Sequence, residues 1–143
     1  MILTGKEKEI QKLLYDYVSV KSDTGTMYEK NTESFLENYI KNIDYFNKNP
    51  NYYNKYKIKN DPFDRNVFWA MVKGRGKKTV ILLHHTDVVD ASNYKSFYEV
   101  AYNPEKLENE FKLRGDELSK EVIEDLNSNN YIFGRGTADM KSG

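Results

Sequence analysis

The run Val80-Ile81-Leu82-Leu83, leading into His84-His85-Thr86-Asp87, limits the architectures open to this chain more than any other feature. Side chains along a strand point alternately to opposite faces. Four successive apolar residues therefore place hydrophobic groups on both faces, the pattern of a strand covered on each side by other layers. Such a strand belongs in a layered α/β domain. Thr79–Val89 is read as this strand and Asn66–Val72 as a second one, with the glycine-bearing Lys73–Lys77 as a tight hairpin connection between them.

Helical signals dominate the first fifty residues. Thr4-x-x-Glu7 has the form of a capping box, followed by a stripe of Ile10, Leu13, Leu14, Tyr17 and Val18 at helical spacing. Ser22–Gly25 is turn chemistry. A second box, Thr26-x-x-Glu29, precedes another stripe, Phe35, Leu36, Tyr39, Ile40 and Ile43, which Asn49-Pro50 punctuates. Residues 50–64, rich in Asn, Tyr and Asp, read as a loop or a ragged edge. Residues 90–115 show no dependable period, although Phe97–Tyr102 alternates weakly like a short strand. Asp116–Asn127 resembles a short amphipathic helix, and Tyr131–Phe133 is a brief apolar run. The expected fold class is therefore α/β, an incomplete mixed sheet flanked by helices. The chain stops just past its second polar motif, so residues 1–143 are expected to form the N-terminal part of one catalytic domain, truncated and without a second domain.

Composition removes several functions. Lys plus Arg equal Asp plus Glu at 22 each, so no net field draws in nucleic acid or an anionic membrane. The charged N-terminus MILTGKEKEIQKLL is unlike a signal peptide, and no run approaches the ~20 apolar residues of a membrane span. A cytoplasmic location is the expectation. There is no cysteine, so any metal must be held by His, Asp and Glu, and the two histidines, His84 and His85, are adjacent.

Two segments offer chemistry. In the first, strand alternation sets His85 and Asp87 on one side and His84 and Thr86 on the other. A carboxylate two residues from an imidazole can fix the ring while its other nitrogen binds metal. A bland alternative stands beside this, a hydrogen-bonded pair at a strand end, with His84 as a structural residue, buried or bonded to backbone. The second segment is Gly134-Arg135-Gly136-Thr137-Ala138-Asp139-Met140-Lys141. Its glycines permit a sharp turn that presents Asp139, whose two oxygens can bridge two cations. The bland alternative here is a loop with a solvated acid. A phosphate-binding loop is disfavoured, because Met140 stands where the glycine before Lys141-Ser142 is required.

Together the two segments resemble the paired signatures of the aminoacylase/carboxypeptidase family of co-catalytic zinc peptidases, which includes acetylornithine deacetylase and succinyl-diaminopimelate desuccinylase. An apolar strand entering His-x-Asp-x-Val is matched by Ile81–Val89, and Gly-Arg-Gly-x-x-Asp-x-Lys by Gly134–Lys141. Asp139 follows His85 by 54 positions, a longer separation than in most members, and with Asn103–Leu107 inside the insertion this resembles the arginine-utilisation branch. The resemblance implies that His85 is a terminal ligand of one metal, Asp139 the bridging ligand of both, and Asp87 the acid that orients His85. It implies two zinc ions, with cobalt or manganese as alternatives, and often a cis peptide after the bridging acid, here Asp139–Met140. The implied activity is hydrolysis of amide or peptide bonds in small peptides or N-acyl amino acids. The family's proton-transfer glutamate and later ligands lie beyond the second signature, so the 143 residues alone are expected to be inactive. The competing expectation is a non-catalytic remnant or interaction protein that needs a separately encoded remainder. A missing C-terminal portion or a second copy are the partners anticipated, with no nucleic acid and no membrane.

Overall fold

Residues 5–142 are described by the computed structural model, and they divide into two compact units. One takes in the chain up to Val20 and again from Val88; the other is Lys21–Asp87. No helix among the described residues is long and apolar enough to cross a membrane.

The first unit is helical. Helix α1 spans Gly5–Val18; Thr4, the expected cap, lies outside the described residues. Of its apolar stripe, Tyr17 and Val18 are buried, while Ile10 is exposed. Helix α4 runs over Pro104–Leu113 and α5 over Lys120–Ser128. Both begin on a side-chain cap: the Asn103 Oδ1 accepts from the Lys106 N–H at 2.9 Å, and the Ser119 Oγ from the Val122 N–H at 3.4 Å. A good cap of this type is worth about 1 kcal/mol. Pro104 in the first turn of α4 loses no helical hydrogen bond, since its missing N–H would have been unpaired there anyway.

Leu107, fully buried, is the centre of the core, with Phe97, Phe111 and Leu126 around it. Phe111 meets Phe97 edge-on at 5.0 Å between ring centroids and Phe133 at 5.4 Å. Such edge-to-face pairs add about 0.5–1.5 kcal/mol beyond area burial.

Two expectations fail in this unit. Phe97–Tyr102 is not a strand: Ser92–Val100 forms 3-10 turns, broken at Lys95 where φ is 52°. Helix α4 was not anticipated, because only Leu107 and Phe111 mark its buried face and charged residues hide the period.

In the second unit, helices α2 (Lys30–Lys41) and α3 (Asp44–Lys48) accompany strands β1 (Tyr53–Lys57) and β2 (Asn66–Ala70). The strands are antiparallel, with Lys55 opposite Phe68 and Tyr53 opposite Ala70. The fold is thus mixed helix and strand, but the sheet expected to be mixed is antiparallel and two-stranded. Residues 53–57, expected in a loop or a ragged edge, form the regular strand β1. Their Asn and Lys residues obscured the strand, yet an antiparallel pair tolerates a solvated face. β2 pairs backward with β1 rather than forward across Lys73–Lys77, so no hairpin forms there.

The largest departure is Thr79–Val89. No strand forms there, and Val80, Ile81, Leu82 and Leu83 are 83%, 81%, 91% and 85% exposed. A strand needs a neighbour to receive its N–H and C=O groups. β1 and β2 pair with each other, and Val80–Leu83 adds to neither of their outer edges.

The β1–β2 connection is tied by Asp61. Its carboxylate accepts from the Phe63 and Arg65 N–H groups at 3.1 and 2.9 Å and pairs with the Arg65 guanidinium at 2.5 Å. Arg65 also reaches Glu29 at 2.6 Å, linking the connection to the start of α2. The guanidinium and backbone donors hold the Asp61 carboxyl down at about 2. A depressed folded-state pKa contributes stability that is complete above the unfolded value, near 3.9, and is lost as pH falls through the folded one. Denaturant titrations between about pH 4 and pH 2 should therefore show falling stability. Asp61→Asn should flatten that acid limb, and an unchanged limb would refute the assignment.

Candidate functional site

The His85-Thr86-Asp87 triplet keeps the alternation of an extended chain without belonging to a sheet. On one side, His85 Nδ1 lies 3.2 Å from Asp87 Oδ1 and 3.1 Å from the Asp87 carbonyl oxygen. On the other, the Thr86 hydroxyl accepts from Thr32 at 2.9 Å, and the Thr86 carbonyl accepts from the Ser22 hydroxyl at 2.8 Å. Ser22 and Thr32 are completely buried. Buried hydroxyls are costly unless they are hydrogen-bonded, so both are committed to these contacts. The Thr24 hydroxyl donates to Asp87 Oδ2 at 2.7 Å. Each carboxylate oxygen of Asp87 thus has its own partner.

Burial pushes the Asp87 carboxyl up. The Thr24 hydroxyl, its own backbone N–H and the His85 ring outweigh that and leave it below its ordinary range. Of the two structural settings expected for His84, burial or a bond to backbone, burial does not occur: the residue is exposed.

Asp139 belongs to the other unit and sits on a turn packed against α1 and α4. Gly136 has φ +91°, a conformation that side-chain-bearing residues rarely adopt, and a Cβ there would stand 3.1 Å from Val88 Cγ1. A Cβ on Gly134 would meet Thr137 at 3.1 Å, Pro104 at 3.4 Å and Val18 at 3.5 Å. The turn is closed by the Thr137 hydroxyl on the Gly134 carbonyl at 2.8 Å. Past it, Asp139 Oδ1 accepts from the Met140 N–H at 2.7 Å, and the Asp139 carbonyl accepts from both the N–H and the hydroxyl of Ser142. The Asp139–Met140 peptide is trans, as is every peptide bond among the described residues.

Lys141 anchors this turn. Its side chain is buried, and Nζ donates to the Val20 carbonyl at 2.6 Å and the Tyr17 carbonyl at 3.4 Å, 5.1 Å from the Tyr17 ring centroid. Helix α1 has no basic residue in its own last turn, and a cation there complements the helix dipole. Lys141 supplies it from far along the sequence. Burial pushes the Tyr17 hydroxyl up to about 12, so the ring under the ammonium stays neutral. Arg135 lies over Tyr94 at 5.0 Å and pairs with Asn93, while its Nε is buried without a hydrogen-bond partner.

Of the three residues singled out from sequence, the structure pairs His85 with Asp87 and places Asp139 in the other unit. Among the described residues no group of three or more His, Asp or Glu side chains is arranged to hold a metal ion. Asp87 on Nδ1 is the arrangement of a metal-binding imidazole and its orienting acid, yet this donor set does not amount to a complete metal site. Sequence reading passed over Ser22, Thr24, Thr32 and Lys141 as functional positions. The polar stretch around Ser22–Glu29 was the available signal, but its contact with Thr86 and Asp87 spans more than fifty positions.

No family model matches the chain, and no solved structure matches it. Among curated proteins it is similar to Protein RocB of Bacillus subtilis (strain 168), 33% identical over 138 residues, covering 95% of this chain and 24% of RocB. It is also similar to Uncharacterized protein YqjN of the same organism, 36% identical over 138 residues, covering 94% of this chain and 24% of YqjN. The chain spans about a quarter of the length of these relatives.

Two outcomes test the geometry. Thr24→Val removes a donor that favours the ionised carboxylate, so the Asp87 carboxyl should titrate higher, read from its 13C chemical shift against pH. Lys141→Met strands the Val20 carbonyl, while the Tyr17 carbonyl keeps the Val20 N–H, and should cost about 1–3 kcal/mol in urea unfolding.

Proposed function

We propose that the chain supplies one part of a metal-dependent hydrolase, a di-zinc enzyme acting on amide or peptide bonds in small peptides or N-acyl amino acids. The observation that carries this reading is the contact between His85 Nδ1 and the Asp87 carboxylate at 3.2 Å, the arrangement of an orienting acid on a metal-binding imidazole. In this reading His85 is a terminal ligand, Asp87 holds its ring, and Asp139 bridges the two ions. Zinc is the metal that imidazole and carboxylate donors suit, with cobalt or manganese as replacements. The similarity to RocB and YqjN supports placing the chain with the arginine-utilisation branch of the peptidase family.

The described residues hold no third ligand grouped with His85 and Asp87, so catalytic steps are not assigned to them. The 143-residue chain should bind cobalt or zinc weakly and turn over no dipeptide or acyl-amino acid. Calorimetric titration with cobalt should show binding lost in His85→Ala and weakened ~10–100-fold in Asp87→Asn, the usual effect of removing an orienting carboxylate. Equal cobalt affinity in wild type and His85→Ala would refute the metal role.

A further inference from the structure

Val80-Ile81-Leu82-Leu83 is the strongest unexplained feature of the surface. All four side chains are more than 80% exposed, in a segment that belongs to no strand. In a strand, successive residues point to opposite faces, so once paired Val80 and Leu82 would face one way and Ile81 and Leu83 the other. A strand with one wet face would alternate polar and apolar residues; this one is apolar throughout, as in a strand covered on both faces. Contiguous exposed apolar residues mark an interaction site.

What covers it is decided by what both faces require. A second copy could pair along one edge, but two paired strands still leave both faces open to water. Lys73, Arg75, Lys77 and Lys78 precede the run, and beside a parallel second copy they would face like charges. The matched relatives carry about three quarters of their length outside the matched region, enough chain for further strands and covering helices.

We propose that Thr79–Leu83 is a docking strand that pairs with and is enclosed by a polypeptide equivalent to the unmatched three quarters of RocB and YqjN. This rests on the reading of the chain as one part of a longer hydrolase, and it concerns assembly rather than metal. Recognition is by strand addition: main-chain hydrogen bonds along Thr79–Leu83, with apolar pockets on both sides for the four side chains.

The test is to co-express the 143-residue chain with the unmatched region of YqjN and to follow amide hydrogen exchange. Alone, the Thr79–Leu83 amides should exchange as fast as unstructured peptide at every chain concentration. In the co-expressed pair they should slow at least about 100-fold, within a 1:1 complex. Ile81→Pro, which removes one ladder N–H at an 81%-exposed position, should abolish the complex while leaving the circular dichroism of the lone chain unchanged. Protection that appears in the lone chain as its concentration rises would assign the segment to a second copy and overturn the proposal. A complex that leaves these amides fast, or one that Ile81→Pro forms equally well, would also overturn it. If the YqjN region does not fold when expressed separately, full-length YqjN is measured instead, and fast exchange in its aligned segment is the overturning result. Cobalt affinity is read on the same samples, so loss of the metal role without loss of the complex separates the two proposals.

Discussion

A β-strand is not a local structure: its backbone groups are satisfied only by a neighbour, and Val80–Leu83 has none here. Much of the second unit follows from that constraint. β1 and β2 pair through one edge each, and their outer edges take up no further strand. The segment with the strongest apolar character is left outside that sheet and exposed. The neighbouring stripe is incompletely covered as well, since Tyr39 and Ile43 of the α2 region and Val67 and Trp69 of β2 retain substantial exposure. An apolar pattern states what a segment must bury. It does not supply the surface that buries it.

Where no sheet holds the chain, hydroxyl groups do. Ser22 and Thr32 grip Thr86 through its carbonyl and its hydroxyl, and Thr24 grips Asp87. The side chains of Thr86 and Asp87 are thereby directed apart, and His85 meets Asp87. In the other unit a single ammonium has a comparable role. Lys141 closes the C-terminal carbonyls of α1 and so ties the Asp139 turn to a helix more than a hundred residues earlier in the chain. The candidates' own contacts are exposed, and it is their neighbours Thr86 and Lys141 that meet buried groups, where a stranded donor or acceptor has a high cost.

The helices with local signals were legible in the sequence. Thr26, Asn103 and Ser119 all cap through their side chains, and Asp116–Asn127 was read as a helix within a few positions of α5. The Asn103 cap alone does not mark α4 in the sequence, because Leu107 and Phe111 make a thin stripe among charges. The pairing of His85 with Asp87 was legible because an i, i+2 relation survives in any extended chain. The Asp139 turn was legible through Gly134 and Gly136, whose lack of a Cβ its packing and φ require.

The sequence by itself determined the local geometry: helix starts, the glycine turn, and the common side of His85 and Asp87. These depend on contacts within four or five residues, where chain entropy is small and side-chain chemistry decides. Only the tertiary structure decided that β2 pairs with residues 53–57, that Val80–Leu83 remains outside any sheet, and that Lys141 is buried against the end of α1. Those outcomes depend on which distant groups are present to satisfy a backbone edge or a helix end. An apolar run carries the demand for partners in its own residues, but their identity lies elsewhere in the polypeptide.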